Sequence, residues 1–128
     1  MTRVLALDYG SARCGCAISD PTGTLATPLP ALDRPDSEAG IERIAALVRD
    51  QGAERVIVGL PVSLSGDEGP QAAETRAFAQ RLQGAVGVPV DTWDERFTTR
   101  LAQSTPGRHA EDSRAAAHLL QSWLEAHR

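Results

Sequence analysis

With 128 residues, a charged fraction of 23% and a hydrophobic fraction of 41%, the chain has the size and balance of one globular domain around one core, and no stretch approaches the ~18 to 20 consecutive apolar residues of a membrane helix. A net charge of −4 and a pI of about 5.3 argue against holding nucleic acid by bulk electrostatic attraction, while leaving metal-assisted chemistry on phosphates open. All 13 basic residues are arginine, and lysine and asparagine are absent, which excludes a Walker-type lysine, a Schiff base, a lysine general base and N-glycosylation.

Met1-Thr2-Arg3 runs straight into the first strand, leaving no room for a signal or transit peptide, so a cytoplasmic location is expected. The run Val4-Leu5-Ala6-Leu7 reads as a strand buried on both faces that ends in Asp8. Arg13 to Ser19 and Thr24 to about Leu32 are the second and third strands, joined by turns at Tyr9-Gly10-Ser11 and Asp20-Pro21-Thr22-Gly23. Such short connections imply an antiparallel meander. Cys14 and Cys16 fall on one face of the second strand, a poor arrangement for a mutual disulfide, and read as small buried apolar side chains in a reducing compartment.

Ile41, Ile44, Ala45 and Val48 follow the spacing of an amphipathic helix, with Asp36 or Ser37 as its N-cap and Gly52 near its end. Arg55 to Gly59 is a buried strand. The glycine-rich loop from Gly59 to Gly69 leads into a helix opened by Pro70, carrying Phe78 and Leu82 and expected to stop near Gly84. Val86 to Asp91 is then a fifth strand, and a helix from about Ala110 to Ala126 closes the chain. Three meandering strands followed by alternating helices and strands predict an α/β fold with a mixed five-stranded sheet, formed as one domain over residues 1–128.

Within that frame the acidic residues stand in unusual places. Asp8 ends a buried strand, where a charge is costly unless paired or metal-bound. Asp94-Glu95 follows the apolar stretch from Val86 to Val90, and Asp112 lies in line with the stripe Ala115/Ala116, Leu119/Leu120 and Trp123/Leu124. Three separated carboxylates on the ends or inner faces of core elements suggest a divalent-metal site. Each also has a plainer reading: Asp8 as a turn residue, Asp112 as an acid favoured in a first helical turn, and only one of the adjacent Asp94 and Glu95 facing any given site. His109, His118 and His127 recur every nine residues, roughly half a turn apart around a helix, so they build no common metal site. His118 and His127 read as surface residues, and His109 is the one with a candidate role near Asp112.

Four blocks carry a resemblance: Leu5-Ala6-Leu7-Asp8-Tyr9-Gly10-Ser11-Ala12-Arg13-Cys14-Gly15-Cys16-Ala17-Ile18-Ser19-Asp20; Gly59-Leu60-Pro61 with Gly66 and Gly69; Asp94-Glu95-Arg96-Phe97-Thr98-Thr99; and Asp112 before Ala115-Ala116 and Leu119-Leu120-Gln121-Ser122. In this order they resemble the YqgF/RuvX family, the Holliday junction resolvase and pre-16S ribosomal RNA nuclease group of the ribonuclease H-like superfamily. The resemblance implies a ribonuclease H-like sheet with helices on both faces and a nuclease site at Asp8, Glu95 and Asp112. These would be catalytic residues and ligands of Mg²⁺ or Mn²⁺, with Asp94 as the alternative ligand. Two such ions about 4 Å apart would activate water and stabilise the leaving oxygen.

Arg13 and Arg96 would contact phosphate, or alternatively pair with the same carboxylates. Gly66 and Gly69 would present backbone N–H groups to phosphate, or only serve turns. Thr98 and Thr99 would bond the substrate backbone, or cap a helix. The implied substrate is the precursor of 16S rRNA, trimmed at its 5′ end in ribosome biogenesis. Branched DNA is the alternative, which a homodimer would suit, and a non-catalytic nucleic-acid-binding assembly factor is a third reading. No membrane partner is expected. The chain departs from the family at Cys14, where a branched apolar residue is usual, and in a short segment before the last helix that offers only Arg108, His109 and Arg114 where relatives carry several basic residues.

Overall fold

The computed structural model describes residues 3–97 and 108–127, and within them the side chains of 3–96 and 113–127. The predicted meander is present as β1 (Arg3–Tyr9), β2 (Arg13–Ser19) and β3 (Ala26–Asp33), each antiparallel to the next. After α1 (Glu38–Gln51) the chain returns as β4 (Ala53–Leu60) parallel to β1, and after α2 (Pro70–Val86) as β5 (Val90–Asp94) parallel to β4. A short 3-10 helix (Glu95–Phe97) follows β5, and α3 (Arg108–Ala126) ends the fold. The sheet order is β3-β2-β1-β4-β5.

Where the boundaries depart from expectation, local chemistry accounts for it. The third strand begins at Ala26 rather than Thr24 because the Asp20 carboxylate accepts the N–H groups of Thr24 and Leu25 at 2.8 and 3.0 Å, diverting them from the ladder. The second helix passes through Gly84 and ends at Val86, so the fifth strand starts only at Val90. Phe78, Leu82 and Val86 are each four residues apart and all buried, so Val86 completes a helical stripe rather than opening a strand. Gly87, at φ 71°, supplies the left-handed C-cap, three residues beyond the expected stop near Gly84. Ser37, not Asp36, caps α1: its hydroxyl accepts the Gly40 N–H at 3.0 Å.

The two faces of the sheet are packed differently. Leu5, Leu7, Cys14, Cys16, Ile18, Val56 and Val58 lie against α1 and α2 with Ile44, Phe78 and Leu82. Val4, Ala6, Ala17 and Ile57 lie on the other face, under Ala116, Leu119, Leu120 and Leu124 of α3. Small residues there let one helix approach closely. Both cysteines are free and buried, as expected. Among the described residues no helix is long and apolar enough to cross a membrane.

The turn into α1 is tight enough to test. A Cβ on Gly40 would fall on the carbonyl oxygens of Arg34 and Pro35, backbone atoms that cannot swing away. Gly40→Ala should therefore cost about 1 to 3 kcal/mol in stability, read as a lower urea midpoint with unchanged slope. An unaffected midpoint would mean that the turn yields freely.

Candidate active site

Side-chain alternation along β1 decides where its acid points. Tyr9 stacks on Phe78 with ring centroids 4.4 Å apart, on the α1 and α2 side. Asp8 shares the parity of Val4 and Ala6 and so belongs to the α3 face. Leu7 pairs with Val58 and Gly59 with Trp93, which puts Asp8, Gly59 and Trp93 in one row across three parallel strands near their C-terminal ends. Crevices at such ends are the usual ligand sites of open α/β sheets.

Glu95 reaches this row from the 3-10 turn after β5. A Cβ built on Gly59 would stand 2.8 Å from Glu95 Oε1, 3.2 Å from Glu95 Cγ and 3.0 Å from Leu119 Cδ2. Gly59 is therefore the floor on which both the Glu95 carboxylate and α3 rest, and any side chain there would displace one of them. The Glu95 carboxyl is hydrogen-bonded to Asp8, and its pKa is pushed up to about 7, first by burial, then by the Asp8 charge and that hydrogen bond, with Asp94 adding a smaller repulsion. Two carboxyls joined in this way favour one proton on the pair as pH falls below neutrality. A cation arriving between them would relieve the repulsion that raises the pKa, so the donor set suits a hard divalent ion.

Asp94 is turned to a different task. Arg96 Nε lies 3.1 Å from Asp94 Oδ1 and 2.9 Å from Oδ2, Arg96 Nη2 donates to Oδ2 at 2.6 Å, and the Arg96 backbone N–H donates to Oδ1 at 2.8 Å. That fork holds the Asp94 carboxyl below its usual range. Of the adjacent acids it is Glu95 that meets Asp8. Arg13 pairs with Asp33 of the neighbouring strand at 3.8 Å. For both arginines the ion pair is thus the arrangement seen, Arg96 with one of the motif acids and Arg13 with an acid outside it.

The loop between β4 and α2 is ordered by its own polar groups. Asp67 donates its N–H to Ser63 Oγ at 3.1 Å, and Val62 and Glu68 form a bridge across it. Gly66, at φ 92°, lies against Arg96, whose Nη1 is 3.7 Å from the position of a Gly66 Cβ. Gly69 stands at the N-terminus of α2, ahead of Pro70. The structure therefore brings Gly66 to the Asp94–Arg96 pair.

Asp112 lies on α3 one turn before the buried Ala116, but its side chain is outside the described residues, as are that of His109 and the whole of Thr98 and Thr99. Among the described residues no three His, Cys, Asp or Glu side chains form a metal cluster. His118 is half-buried, and His127 is exposed and stacks on Trp123 with centroids 4.0 Å apart. Sequence reasoning missed the role of Gly59 because a glycine after a buried strand reads as the start of a loop, and nothing local reports what will rest on it.

Comparisons with known proteins fit this geometry. The family model RuvX, described as Holliday junction resolvase, matches residues 2–126. The chain belongs to the RuvX family. A relative from Pelotomaculum thermopropionicum is 40% identical over 97% of this chain and 87% of its own length, and one from Gluconobacter oxydans is 40% identical over 98% and 85%. Both are named as candidate nucleases of pre-16S rRNA. Among solved structures, Thermus thermophilus RuvC in complex with a Holliday junction superposes with a TM-score of 0.58 at 16% identity, over 99% of this chain and 96% of that one. The fold of this RuvX-family chain is accordingly the ribonuclease H-like α/β fold.

The coupled pair has a measurable consequence. An unfolded glutamate titrates near its ordinary 4.5 while the folded Glu95 titrates near 7, so between these pH values the folded state binds more protons and stability falls as pH rises. Without divalent ions the protein should be less stable at pH 8 than at pH 5.5, and Glu95→Gln should remove most of that difference in urea melts. A slope unchanged by Glu95→Gln would separate Glu95 from the effect. Gly59→Ala should cost about 1 to 3 kcal/mol through the same clash and abolish the Glu95-dependent slope.

Proposed function

We propose that this RuvX-family chain, acting as one domain over residues 1–128, is a divalent-metal-dependent nuclease. Its substrate is structured nucleic acid, and the reading favoured is the 5′ end of the 16S rRNA precursor in the cytoplasm. The observation that carries the proposal is the meeting of the Asp8 and Glu95 carboxyls over Gly59, at the C-terminal ends of parallel strands and beneath the helix that bears Asp112. A carboxyl pair held together in this way is stabilised by a proton or a cation between its members.

Asp8, Glu95 and Asp112 would hold Mg²⁺ or Mn²⁺, which supplies an activated water and charge neutralisation at the leaving oxygen when bound. With the ion bound, its charge would offset that of Asp8 and keep Glu95 ionised, and the two carboxylates would orient the attacking water, whose proton would leave to solvent. Arg96 would hold a phosphate of the substrate by exchanging Asp94 for it, a swap that keeps its planar fork fully bonded. Backbone N–H groups around Gly66 and Gly69, with Thr98 and Thr99, would hold the neighbouring backbone, and Arg13 would serve the strand beyond.

RNA is favoured because relatives named for pre-16S rRNA match at 40% identity over nearly the full chain. Branched DNA is the second reading, supported by the description of the family model. A two-fold junction calls for two active sites and hence a homodimer, whereas trimming one RNA end does not.

Matched structured RNA and four-way DNA junctions, incubated side by side with Mg²⁺, Mn²⁺, Ca²⁺ or EDTA, test the proposal. RNA should be cut with Mg²⁺ or Mn²⁺, and bound but hardly cut with Ca²⁺. Asp8→Asn should lower cleavage by more than the ~10- to 100-fold that loss of an outer-shell partner costs, while the fold stays intact. Tight binding in EDTA that Asp8→Asn leaves untouched would point instead to a non-catalytic assembly factor. Preferential cutting of the DNA junction by a dimer, seen by light scattering, would transfer the assignment to branched DNA.

A further inference from the structure

We infer that the hydroxyl of Ser113 is a positioning group for the metal-binding carboxylates, pinning the first turns of α3 to the sheet and thereby setting where Asp112 stands relative to Asp8 and Glu95. The inference rests on the carboxylate reading given above and extends it to a residue with no metal-binding chemistry of its own.

Ser113 is 1% exposed, inside a helix, and a buried helical serine ordinarily spends its hydroxyl on its own helix, four residues back. This one reaches out of the helix. Its Oγ donates to the Leu29 carbonyl of β3 and accepts the Cys16 N–H of β2 at 3.4 Å, so a single side chain bridges two strands and a helix. The contact falls where the β2–β3 register breaks: Cys16 pairs with Leu29 but Cys14 with Leu32, so β3 carries one extra residue between them. A bulge loosens the ladder at that point, and the serine hydroxyl satisfies the groups it touches.

Position makes the contact matter to the site. Asp112 is the preceding residue, ~1.5 Å along the helix axis and ~100° around it, so a shift of Ser113 is transmitted to Asp112 undiminished. Two other polar ties of α3 lie further along it: Gln121 Nε2 donates to the Thr24 carbonyl at 3.3 Å and Ser122 Oγ accepts from Trp93 Nε1, also at 3.3 Å. Leu119, Leu120 and Leu124 hold the rest of the helix by burial, which fixes depth but tolerates sliding. Metal ligands tolerate little sliding, about 0.5 Å. Loss of the Ser113 hydroxyl should leave α3 in place and its first turn mispositioned.

Mn²⁺ affinity by isothermal titration and the rise in melting temperature on adding Mn²⁺, measured on wild type, Ser113→Ala, Ser113→Thr and Asp112→Asn without nucleic acid, test this directly. Ser113→Ala should bind Mn²⁺ about tenfold more weakly, within the range for lost outer-shell partners, while its metal-free melting temperature falls by no more than a few degrees. Ser113→Thr, which keeps the hydroxyl, should recover most of the affinity. Wild-type Mn²⁺ affinity in Ser113→Ala overturns the inference, as does a folded Ser113→Thr that binds no better than the alanine variant. Should Ser113→Ala fail to fold, the threonine result alone decides. Weakened binding in Asp112→Asn with normal binding in Ser113→Ala removes only the positioning role, whereas normal binding in Asp112→Asn removes the carboxylate site itself.

Discussion

The meeting of Asp8 and Glu95 is the contact around which the molecule is organised. Two carboxyls brought together and partly removed from water repel each other, and the upward shift of Glu95 to about 7 records first its burial and then that repulsion. Folding therefore stores an electrostatic conflict at one place, which a proton relieves at low pH and a divalent cation would relieve at neutral pH. Such a conflict persists only where the rest of the fold outweighs it. Here the opposing stabilisation comes from the buried β1, β2 and β4 strands and their two apolar layers.

The asymmetry of those layers follows from the same requirement. On the α1 and α2 face the sheet presents Leu5, Leu7, Val56 and Val58, large enough to fill the space beneath two helices. On the α3 face it presents Val4, Ala6, Ala17 and Ile57, and at Gly59 the helix sits low enough for Leu119 to rest on the glycine itself. Close approach on that side lets a short side chain such as Ser113 reach sheet backbone and lets Glu95 lie flat over the strand ends. Larger residues in the row would lift the helix and open the site to water.

Arginine use fits a chain with net negative charge and no lysine. Arg96 is committed to Asp94, Arg76 to Glu68 at 2.6 and 2.7 Å, and Arg55 to Asp91. Gly66 lies against Arg96, which brings its loop to the strand end bearing Asp94. Among the described residues, the Asp94–Arg96 and Glu68–Arg76 pairs near the carboxyl pair are ion pairs that an incoming phosphate could exchange into. Such partly exposed pairs contribute little to stability, and their value lies in orienting planar donors that an incoming phosphate can claim.

Local pattern and short-range chemistry were legible in the chain itself. The buried run ending in Asp8, the serine or aspartate cap before Ile41, Pro70 opening α2 and the paired cysteines on one face all express alternation, capping and backbone constraints that act over a few residues. The four motif blocks also carried the family and the fold. Tertiary structure decided what depends on residues distant in sequence: that Glu95 rather than Asp94 meets Asp8, that Arg13 and Arg96 are held in ion pairs, that Gly59 is a floor for two elements, and that Ser113 bridges β2 and β3. It also decided that Val86 belongs to a helix, because an apolar residue between two possible periods is assigned by the core that receives it. The physical reason is common to all of these. Periodicity reports which face of an element is apolar, but only packing brings strand ends, helix and turn close enough for two carboxyls to meet and for a glycine to be the one residue that fits beneath them.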